Sequence, residues 1–411
     1  MRILIVGLNF SPELTGIGKF TGDMAEWLVE RGHDVRIVTA PPYYPEWRVH
    51  KGYSSWRYRS EMIGKMRVWR CPLYVPGSQG GIKRLLHLAS FALSSAPVAK
   101  AHAVWRPNVV WCAAPSILSA PAAWAAARLC GAKAWLHVQD LEVDAAFGLG
   151  LLKSKGVRVA VSAAERFLLR RFDRVSTVSQ RMVERIVAKG VPADRVSLFP
   201  NWVDASLIHP LATLSPLKAE LGIHPASRVA LYSGNMGEKQ GLETLVEAAR
   251  LRAEYPSLTF VLCGDGAARR RIEEMAAGLS NVRFIPLQPL SRLNDLLNMA
   301  DVHLLLQRAQ AADLVMPSRL AGMMASGRPV VATAESGTQV AEAVKECGIV
   351  VPPGDPKALV DAILKLVSDH ELSDRLGAAA RVHALANFGR PGILKSFEED
   401  LVSLFASGGG K

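Results

Sequence analysis

Three closely spaced glycines near the N terminus have the types and spacing of a phosphate-binding turn. Gly16, Gly18 and Gly22 follow the short apolar run MRILIVGL and precede an amphipathic pattern. This order predicts a strand, a glycine turn and a helix, which together present backbone N–H groups and the positive end of a helix dipole to an anion. A glycine-rich surface loop without a ligand is the alternative, because glycine spacing alone does not identify a function.

The spacing does not fit either of the two most common phosphate-binding motifs. A dinucleotide fingerprint needs G-x-G-x-x-G directly after the strand, and here the last glycine comes one residue too late. A Walker loop needs Ser or Thr after its Gly-Lys pair, but Phe20 follows Gly18 and Lys19. Glu13 also stands where the first Walker glycine should be. The turn alone therefore does not identify which phosphate compound would bind.

The second half of the chain contains three more glycine-rich segments of this kind. They are YSGNMGEKQGLETLVEAA, VLCGDGAARRRIEEMA and MPSRLAGMMASGRPVVATAESGT. In the first, Lys239 lies in a loop between Gly234 and Gly241, so a cation and backbone N–H groups can meet one phosphate. In the second, Gly264 ends a predicted strand, and in the third a helix is predicted to start near Ser318. Several such turns in one domain favour a phosphate-bearing ligand over a purely structural role.

Composition limits the remaining classes of protein. The chain has 411 residues, 49% of them apolar, which is enough for two or three domains with large cores. Its five cysteines lack C-x-x-C spacing, which predicts a reduced, cytosolic chain without disulfides or a zinc site. The net charge of +12 favours nucleic acid, an anionic membrane or an anionic substrate as partner. We find no nucleic-acid recognition module, and a charge excess that only aids solubility is the alternative.

One uncharged stretch, VVWCAAPSILSAPAAWAAA at 109–127, is long enough to span a bilayer. Pro115 and Pro121 divide it, so we expect a buried strand, a turn and an Ala-rich helix instead of a membrane span. No signal peptide is predicted, because Met1 leads directly into a strand.

Short β-branched runs alternate with helical patterns, which is typical of parallel sheets covered by helices on both faces. Prolines interrupt the pattern at 205–225, and it restarts at VALYSG. We therefore predict a Rossmann-like domain at 1–204, a second one at 205–385, a C-terminal helix at 386–406 and a flexible tail at 407–411. Sheets of this class bind ligands at the carboxyl ends of their strands.

The motifs together resemble a known family, the retaining nucleotide-sugar glycosyltransferases of family 4, over about residues 1–405. The first half has a proline, a glycine pair and a helix before RGHDV at 31–35. FPNWVD at 199–204 is similar to the family's P-N-G-V-D, and MASGRPVVAT at 324–333 is similar to its M-A-C-G-x-P-V-V-A. More narrowly, LNFSPELTGIGKFTG, TAPPYYPEWRVHKGYSSWRYR and VWRCPLYVPG resemble the colanic-acid exopolysaccharide glycosyltransferases.

The resemblance implies an α/β protein of the GT-B fold, in which two doubly wound Rossmann-like domains face a central cleft and the C-terminal helix crosses back to the first domain. It implies transfer of a sugar, with retention, from GDP-fucose or another GDP- or UDP-sugar to a lipid-diphosphate-linked saccharide acceptor. The nucleotide-sugar is a substrate, and neither a cofactor nor a metal is expected. Gly16 and Gly18 are expected to face the diphosphate or the transferred sugar.

The candidate site residues, taken from the resemblance and from a nearby polar cluster, fall into two groups. The predicted donor-binding residues are Gly16, Gly18, Asn235, Lys239, Gln240, Gly264, Leu287, Ser318, Arg319 and Thr338. The polar cluster HVQDLEVD supplies His137, Asp140 and Asp144 as candidate catalytic residues, with Glu142 as a further ligand of sugar hydroxyls. A hydrogen-bonded histidine at the end of a strand and a helix-capping aspartate are the alternatives for residues 137 and 140.

Several family positions differ in this chain. Leu314 and Gly322 align with two glutamates that bind hydroxyls of the donor sugar and ribose in many members, and Asp313 is a candidate replacement for the first. Asn235 and Gln240 align with the arginine and lysine that hold the diphosphate. A sugar-nucleotide 2-epimerase of the same architecture and a non-catalytic nucleotide-sugar-binding partner therefore stay open as alternatives.

Two segments of the first domain mix cations with bulky apolar residues, as interfacial helices do. Lys83 and Arg84 lie in the first segment, and Arg170 and Arg171 lie in the second. We predict that they form a face for an anionic membrane, which makes the protein cytoplasmic and peripheral on the inner face of the plasma membrane. Nucleic acid is not a predicted partner. A core-packing helix with a solvated basic face is the alternative.

Overall fold

The computed structural model describes residues 1–13, 16–77, 81–114, 117–141, 143–144, 155–253, 257–309 and 317–406. The chain forms two compact units. Unit 1 comprises Met1–Pro200 and Pro391–Lys411, and unit 2 comprises Asn201–Arg390.

Unit 1 is built on an eight-stranded sheet of order β3-β4-β2-β1-β5-β6-β7-β8. Its strands are β1 (Arg2–Gly7), β2 (Asp34–Thr39), β3 (Arg59–Ile63), β4 (Met66–Arg70), β5 (Val109–Ala114), β6 (Lys133–Val138), β7 (Arg174–Thr177) and β8 (Val196–Leu198). All neighbouring pairs are parallel except β3 and β4, which pair antiparallel at one edge. The central strand β5 is buried throughout, as expected for a parallel sheet with both faces covered.

The main helices of unit 1 connect strands of this sheet. They are α1 (Gly16–Glu30), α2 (Gly81–Ala101), α3 (Ala120–Cys130), α4 (Lys155–Leu169) and α5 (Gln180–Ala188). The uncharged stretch at 109–127 is divided between β5 and α3, as predicted. No helix in the described part of the chain is long and apolar enough to cross a membrane.

Unit 2 has a six-stranded sheet of order β11-β10-β9-β12-β13-β14, and each of these neighbouring pairs is parallel. Its strands are β9 (Arg228–Ser233), β10 (Leu258–Cys263), β11 (Val282–Ile285), β12 (Val302–Leu305), β13 (Val330–Thr333) and β14 (Gly348–Val351). Its main helices are α6 (Pro216–Glu220), α7 (Glu243–Arg250), α8 (Arg269–Met275), α9 (Leu293–Met299), α10 (Arg319–Ala325), α11 (Gln339–Val344), α12 (Pro356–Ser368) and α13 (His370–Phe388). Apolar side chains from one face of the strands, such as Phe260 and Leu304, form one core cluster, and side chains from the other face, such as Val261 and Leu305, belong to separate clusters.

The last helix, α14 (Arg390–Ala406), packs on unit 1. The Phe397 ring stacks on Phe199 with 4.4 Å between centroids, and Asp400 forms a 2.8 Å ion pair with Arg174. The helix was predicted at 386–406, but α13 extends to Phe388 and Gly389 then adopts extended backbone angles. The interruption at this glycine explains why the structure has two helices here.

Candidate functional site

Each sheet contains a point where the strand order changes direction. In unit 1, β1 lies between β2 and β5, and in unit 2, β9 lies between β10 and β12. Loops that leave neighbouring strands in opposite directions open a crevice at the carboxyl edge of the sheet, which is where such sheets bind ligands. The predicted glycine turns after β1 and β9 both start at these points.

In unit 2, the turns that follow β9 and β10 pack backbone against backbone. A Cβ added to Gly264 would overlap the carbonyl oxygen of Gly234, and one added to Gly266 would lie 2.5 Å from the carbonyl oxygen of Met236. Gly264 and Gly266 also have φ values of 144° and 151°, which L side chains rarely adopt. Glycine is therefore required at these positions because the two turns are in backbone contact, whether or not a ligand is bound.

Arg319 lies against the turn after β9. Its Nη1 donates to the Tyr232 hydroxyl at 2.8 Å, its Nη2 donates to the Leu306 carbonyl at 3.2 Å, and its guanidinium sits 4.7 Å from the centre of the Tyr232 ring. A Cβ on Gly234 would come within 2.8 Å of Nη1. Within the described chain Arg319 has no carboxylate partner, and its buried Nε–H has no hydrogen-bond acceptor. The arrangement orients a cation without neutralising it.

Lys239 lies in the 3₁₀ helix Glu238–Gln240 of the same turn and is half-buried. Its carbonyl accepts from the Arg308 N–H at 2.9 Å, but its ammonium makes no hydrogen bond or ion pair to any residue that the structure describes. Gln240, in contrast, uses its side-chain oxygen to accept from the Gly237 N–H at 3.1 Å. Gln240 therefore holds the turn in shape, while Lys239 keeps its charge available.

The other cations around this turn are paired with carboxylates. Arg271 contacts Glu238 at 3.0 Å and Glu243 at 2.5 Å, and Arg308 contacts Glu243 at 2.8 Å. Burial opposes ionisation of Glu243, but hydrogen bonds and the two arginines hold the pKa of its carboxyl below the usual value. The turn thus contains two kinds of cation, and only Lys239 and Arg319 lack a carboxylate partner among the described residues.

The remaining predicted donor residues have varied surroundings. Thr338 caps α11, with its hydroxyl donating to the Glu335 carbonyl and accepting from the Ala341 N–H, so its role is structural. Ser318 is exposed and makes no side-chain cap bond, and Leu287 is exposed in the loop after β11. Asn235 is also exposed, and its carbonyl accepts from the Tyr232 hydroxyl at 2.6 Å.

Gly322, the aligned position of one missing family glutamate, lies in α10, where a Cβ would meet Leu297 at 3.5 Å. That position faces a neighbouring helix. Leu314 and its candidate replacement Asp313 lie outside the described residues.

In unit 1, protein side chains fill the space beside the glycines at the start of α1. A Cβ on Gly18 would lie 2.6 Å from Oε2 of Glu13, and one on Gly22 would overlap the Ser11 hydroxyl. Gly16 has a φ of 62°, and a Cβ added to it would lie 3.4 Å from the Tyr44 ring. The expectation that Gly18 gives a phosphate close access is therefore not supported, because the Glu13 carboxylate already occupies that space.

Glu13 links the loop after β1 to the loop after β2. Its carboxylate accepts from the backbone N–H groups of Tyr43 and Tyr44, both at 3.0 Å, and from the Asn9 side chain at 2.9 Å. Burial raises the pKa of Glu13, although these three donors and the charge of Arg70 act in the opposite direction. Sequence reasoning missed this role, and the signal for it was an acidic residue between two apolar runs just before a glycine pair.

A buried polar cluster continues from these loops and was also missed. Tyr43 and His87 approach at 3.1 Å through the hydroxyl and Nε2, while His87 Nδ1 contacts the Tyr74 carbonyl at 2.6 Å. Because a carbonyl only accepts, Nδ1 is the donor, and Nε2 then accepts from the Tyr43 hydroxyl. Burial lowers the pKa of His87, which favours the neutral ring that these two hydrogen bonds require. The cluster fixes the loops at the carboxyl edge of β2 and β4.

His137, a predicted catalytic residue, belongs to the core instead. Its ring stacks on Trp111 with 5.5 Å between centroids, and burial lowers the pKa of His137 to about 3. Gln139 donates to Nε2 at 2.8 Å, so Nδ1 donates to the Ser176 hydroxyl at 2.9 Å. Both nitrogens are used inside the protein, which matches the alternative of a hydrogen-bonded histidine at a strand end.

The two predicted aspartates have different environments. Asp144 forms a 3.0 Å ion pair with Lys189, which also contacts the buried Glu165, so this aspartate joins a structural triad. Asp140 is half-buried just after β6. Burial raises the pKa of Tyr44, and the charges of Glu13 and Asp140 raise it further. Asp140 therefore lies beside the loops at the carboxyl edge, where it can meet a ligand. Glu142 lies outside the described residues.

Both predicted basic segments are at the surface of unit 1. Lys83 and Arg84 are exposed in the first turns of α2. Arg170 and Arg171 follow α4, and they line, with Arg158 among others, a cavity of about 700 Å³. Both segments thus expose cationic side chains at the surface of this unit.

Among the described residues, no three His, Cys, Asp or Glu side chains come together as metal ligands.

The chain matches two family models, the glycosyl transferase 4-like domain over residues 15–202 and the glycosyl transferases group 1 over residues 216–383. A putative colanic acid biosynthesis glycosyl transferase WcaI of Escherichia coli K12 is 44% identical over 98% of this chain and 100% of its own length. An N-acetyl-alpha-D-glucosaminyl L-malate synthase of Bacillus anthracis is 21% identical over 96% of each chain.

Solved structures share the fold. Sucrose-phosphate synthase from Thermosynechococcus elongatus superposes with a TM-score of 0.76 at 22% identity and covers 99% of both chains. Anabaena Alr3699/HepE, solved in complex with UDP and glucose, superposes with a TM-score of 0.70 at 17% identity over 98% of this chain and 100% of that chain. These similarities confirm the predicted GT-B type of fold with two Rossmann-like domains.

Proposed function

Because this chain belongs to the glycosyltransferases that combine a 4-like domain with a group 1 domain, we propose that it moves a sugar, with retention, from a nucleotide diphosphate donor to a lipid-diphosphate-linked saccharide. The name of the 44% identical relative supports a role in exopolysaccharide biosynthesis. The proposed donor is GDP-fucose or another GDP- or UDP-sugar.

The observation that carries the proposal is the pair of uncompensated cations at the turn after β9. As the sugar leaves, negative charge builds up on the departing diphosphate, and preoriented positive groups lower the energy of that transition state. Arg319 is already oriented by Tyr232 and by the Leu306 carbonyl, so it needs little rearrangement. Lys239 supplies a second charge from the half-buried loop.

The acceptor is proposed to bind at the carboxyl edge of the unit 1 sheet. Asp140 can accept a hydrogen bond from an acceptor hydroxyl or take its proton, and the raised pKa of Tyr44 keeps that phenol as a hydrogen-bond donor. Glu13 and His87 are buried behind these residues and position the loops instead of touching the acceptor. The division gives hydroxyl-binding groups to unit 1 and phosphate-binding groups to unit 2.

The proposed place of action is the inner face of the plasma membrane, where a lipid-linked acceptor is anchored. Exposed Lys83 and Arg84 lie between exposed Ile82 and Leu85, and this mixture of cations and bulky apolar residues is typical of an interfacial helix. Vesicle flotation tests this placement. We expect the wild type to float with anionic vesicles and the double variant Arg170→Glu, Arg171→Glu to lose this binding. Equal flotation of both proteins, or none of either, contradicts it.

A labelled-donor assay tests the proposed activity. Purified protein is mixed with membrane extract and with GDP-fucose, GDP-mannose, UDP-glucose or UDP-galactose carrying a labelled sugar. We expect label to enter the lipid fraction from one donor, to do so in the presence of a chelator, and to fall strongly in Asp140→Asn. Label that stays in the nucleotide-sugar pool as an epimer, or donor binding without turnover, overturns the proposal.

A further inference from the structure

A groove on unit 1 lies apart from the turns and loops described above. It has a volume of about 790 Å³ and lies between the C-terminal part of α2 and strands β2 and β4. Its walls include Trp69, Trp105, Val98, Ala101 and Val104, with Arg36 as a cation among them. Apart from this guanidinium the lining is largely apolar and aromatic.

The groove lies toward the edge where the parallel strands begin. Trp105 precedes β5, and its carbonyl accepts from Arg2, at the start of β1, at 2.9 Å. Arg36 is in the first half of β2 and pairs in register with Arg67. Sheets of this class bind substrates at the opposite, carboxyl edge. An occupant of the groove would therefore not compete with the donor or the acceptor.

Arg36 contacts two aromatic rings and has no ion-pair partner among the described residues. Its guanidinium lies 4.2 Å from the centre of the Trp105 ring and 5.8 Å from that of Trp69. Burial lowers its pKa, Arg67 and Arg2 lower it further by repulsion, and Asp34 acts in the opposite direction. Arg36 forms no ion pair or hydrogen bond with any residue in the described ranges. Three arginines beside one carboxylate make this end of the groove complementary to an anion.

Helix α2, which forms one wall of the groove, also carries an exposed apolar stripe. Ile82, Leu86 and Leu93 are 77%, 54% and 77% exposed, and their spacing places them on one face of α2. Val104, on the rim of the groove, is 90% exposed. Trp56, which is two residues before the groove residue Tyr58 in the sequence, is 84% exposed. Exposed aliphatic and aromatic side chains bordered by cations are characteristic of surfaces that enter the membrane interface.

We propose that this groove binds an anionic phospholipid, with the phosphate at Arg36 and an acyl chain between α2 and the two tryptophans. The charge at one end and the apolar lining along the rest match a ligand with an anionic head and an apolar body. The site is separate from the sugar-transfer chemistry, so loss of transferase activity leaves the inference intact, and loss of lipid binding leaves the proposed transfer intact.

Titration with a soluble short-chain lipid tests the site on the full chain. Dihexanoyl-phosphatidylglycerol is titrated into wild type and Arg36→Gln by calorimetry below its micellar concentration. Dihexanoyl-phosphatidylcholine and glycerol 3-phosphate serve as probes that lack the net charge or the chains. Ala101→Trp fills the groove, and Val104→Glu places a charge on its exposed rim in case the larger change prevents folding. Arg375→Gln, at an exposed position in unit 2, is the control for net charge.

We expect phosphatidylglycerol to bind wild type and Arg375→Gln equally. Arg36→Gln should weaken binding by about tenfold or more, because a charge-assisted contact to phosphate is lost. Ala101→Trp and Val104→Glu should abolish it. The inference is overturned if glycerol 3-phosphate or phosphatidylcholine binds as tightly as phosphatidylglycerol, or if Arg36→Gln behaves as wild type.

Discussion

The first turn of unit 1 and the paired turns of unit 2 are both rich in glycine, but different groups fill the space that the glycines leave. In unit 1, Gly18 makes room for the carboxylate of Glu13. In unit 2, Gly234 makes room for the guanidinium of Arg319, and Gly264 lets the two turns touch. One turn therefore contains a buried acid, and the other presents an oriented cation.

This difference separates the two halves of the proposed reaction. A diphosphate is repelled by a carboxylate and attracted by a cation, so the donor phosphates fit the turns of unit 2. The loops of unit 1, with Asp140 and Tyr44 at their surface, suit the neutral hydroxyls of a sugar acceptor. Glycine spacing thus indicates where the backbone comes close to another group, and the charge of the neighbouring side chain indicates which kind of ligand can bind there.

The largest expected effect is that of Gly264→Ala. The new methyl group would overlap the Gly234 carbonyl at a φ of 144°, and strain plus overpacking should destabilise unit 2 by about 3 kcal/mol. Calorimetry should show a melting temperature lowered by about 6–12 °C. Gly278→Ala is the matched control, because Gly278 also has positive φ but has nothing within 4 Å of an added Cβ. Equal effects of the two changes would contradict the role given to turn packing.

The next largest effect is expected from Lys239→Ala. Loss of a charge-assisted contact to the leaving diphosphate should lower kcat/KM by roughly ten- to a hundredfold. The melting temperature should barely change, since the ammonium contacts no described residue. Gln240→Ala is the control from the same turn, and it should affect stability more than catalysis because its side chain holds Gly237. Donor kinetics within about twofold of wild type for Lys239→Ala would leave Arg319 as the phosphate cation.

A smaller effect is expected from Gly18→Ala, and it should depend on Glu13. The added Cβ would crowd the Glu13 carboxylate and should cost about 1–2 kcal/mol of stability. In the Glu13→Gly background that cost should largely disappear, which gives a coupling energy of about 1 kcal/mol in a double-mutant cycle of urea unfolding. Gly392→Ala, in α14 with open space around it, should be neutral or stabilising. Additive effects of the two substitutions on the free energy of unfolding would show that the space beside Gly18 is not needed for the Glu13 carboxylate.

The smallest effect is the pH dependence of Glu13→Gln. Because burial raises the pKa of Glu13, the stability tied to its protonated form is complete below the unfolded-state pKa of 4.5 and is lost as pH rises through the higher folded-state value. Glutamine cannot ionise, so the melting temperature of the variant should rise relative to wild type as the pH is raised above the unfolded-state pKa of 4.5. Exposed Glu30→Gln should show no such slope. The opposite slope would mean that the three N–H donors outweigh burial.

Much of the fold followed from local patterns in the sequence. Alternation of β-branched runs and helical stretches predicted two parallel sheets, and the prolines at 205–225 predicted the break between them. The last helix was placed too early, because α13 and α14 are both helical and only Gly389 separates them. A single glycine between two amphipathic helices carries too weak a signal to set a boundary.

The site was harder to predict than the fold, because its residues are defined by contacts between distant segments. His137 lies at the carboxyl end of a strand, where catalytic residues of such sheets occur, but its contacts with Trp111 and Ser176 show that it is a core histidine. Glu13 looks like a loop residue until the N–H groups of Tyr43 and Tyr44 are placed beside it. Local sequence gives the type of side chain, whereas its partners decide whether it is free to act.

Titration of GDP and UDP into single variants tests most directly whether the donor diphosphate binds at unit 2. Wild type, Arg319→Ala, Lys239→Ala and Glu13→Gln are compared by calorimetry. We predict that the preferred nucleotide binds at least about tenfold more weakly to Arg319→Ala and Lys239→Ala, and with unchanged affinity to Glu13→Gln. Unchanged affinity in both cation variants, or a comparable loss in Glu13→Gln, would contradict the assignment of the phosphates to the turns of unit 2.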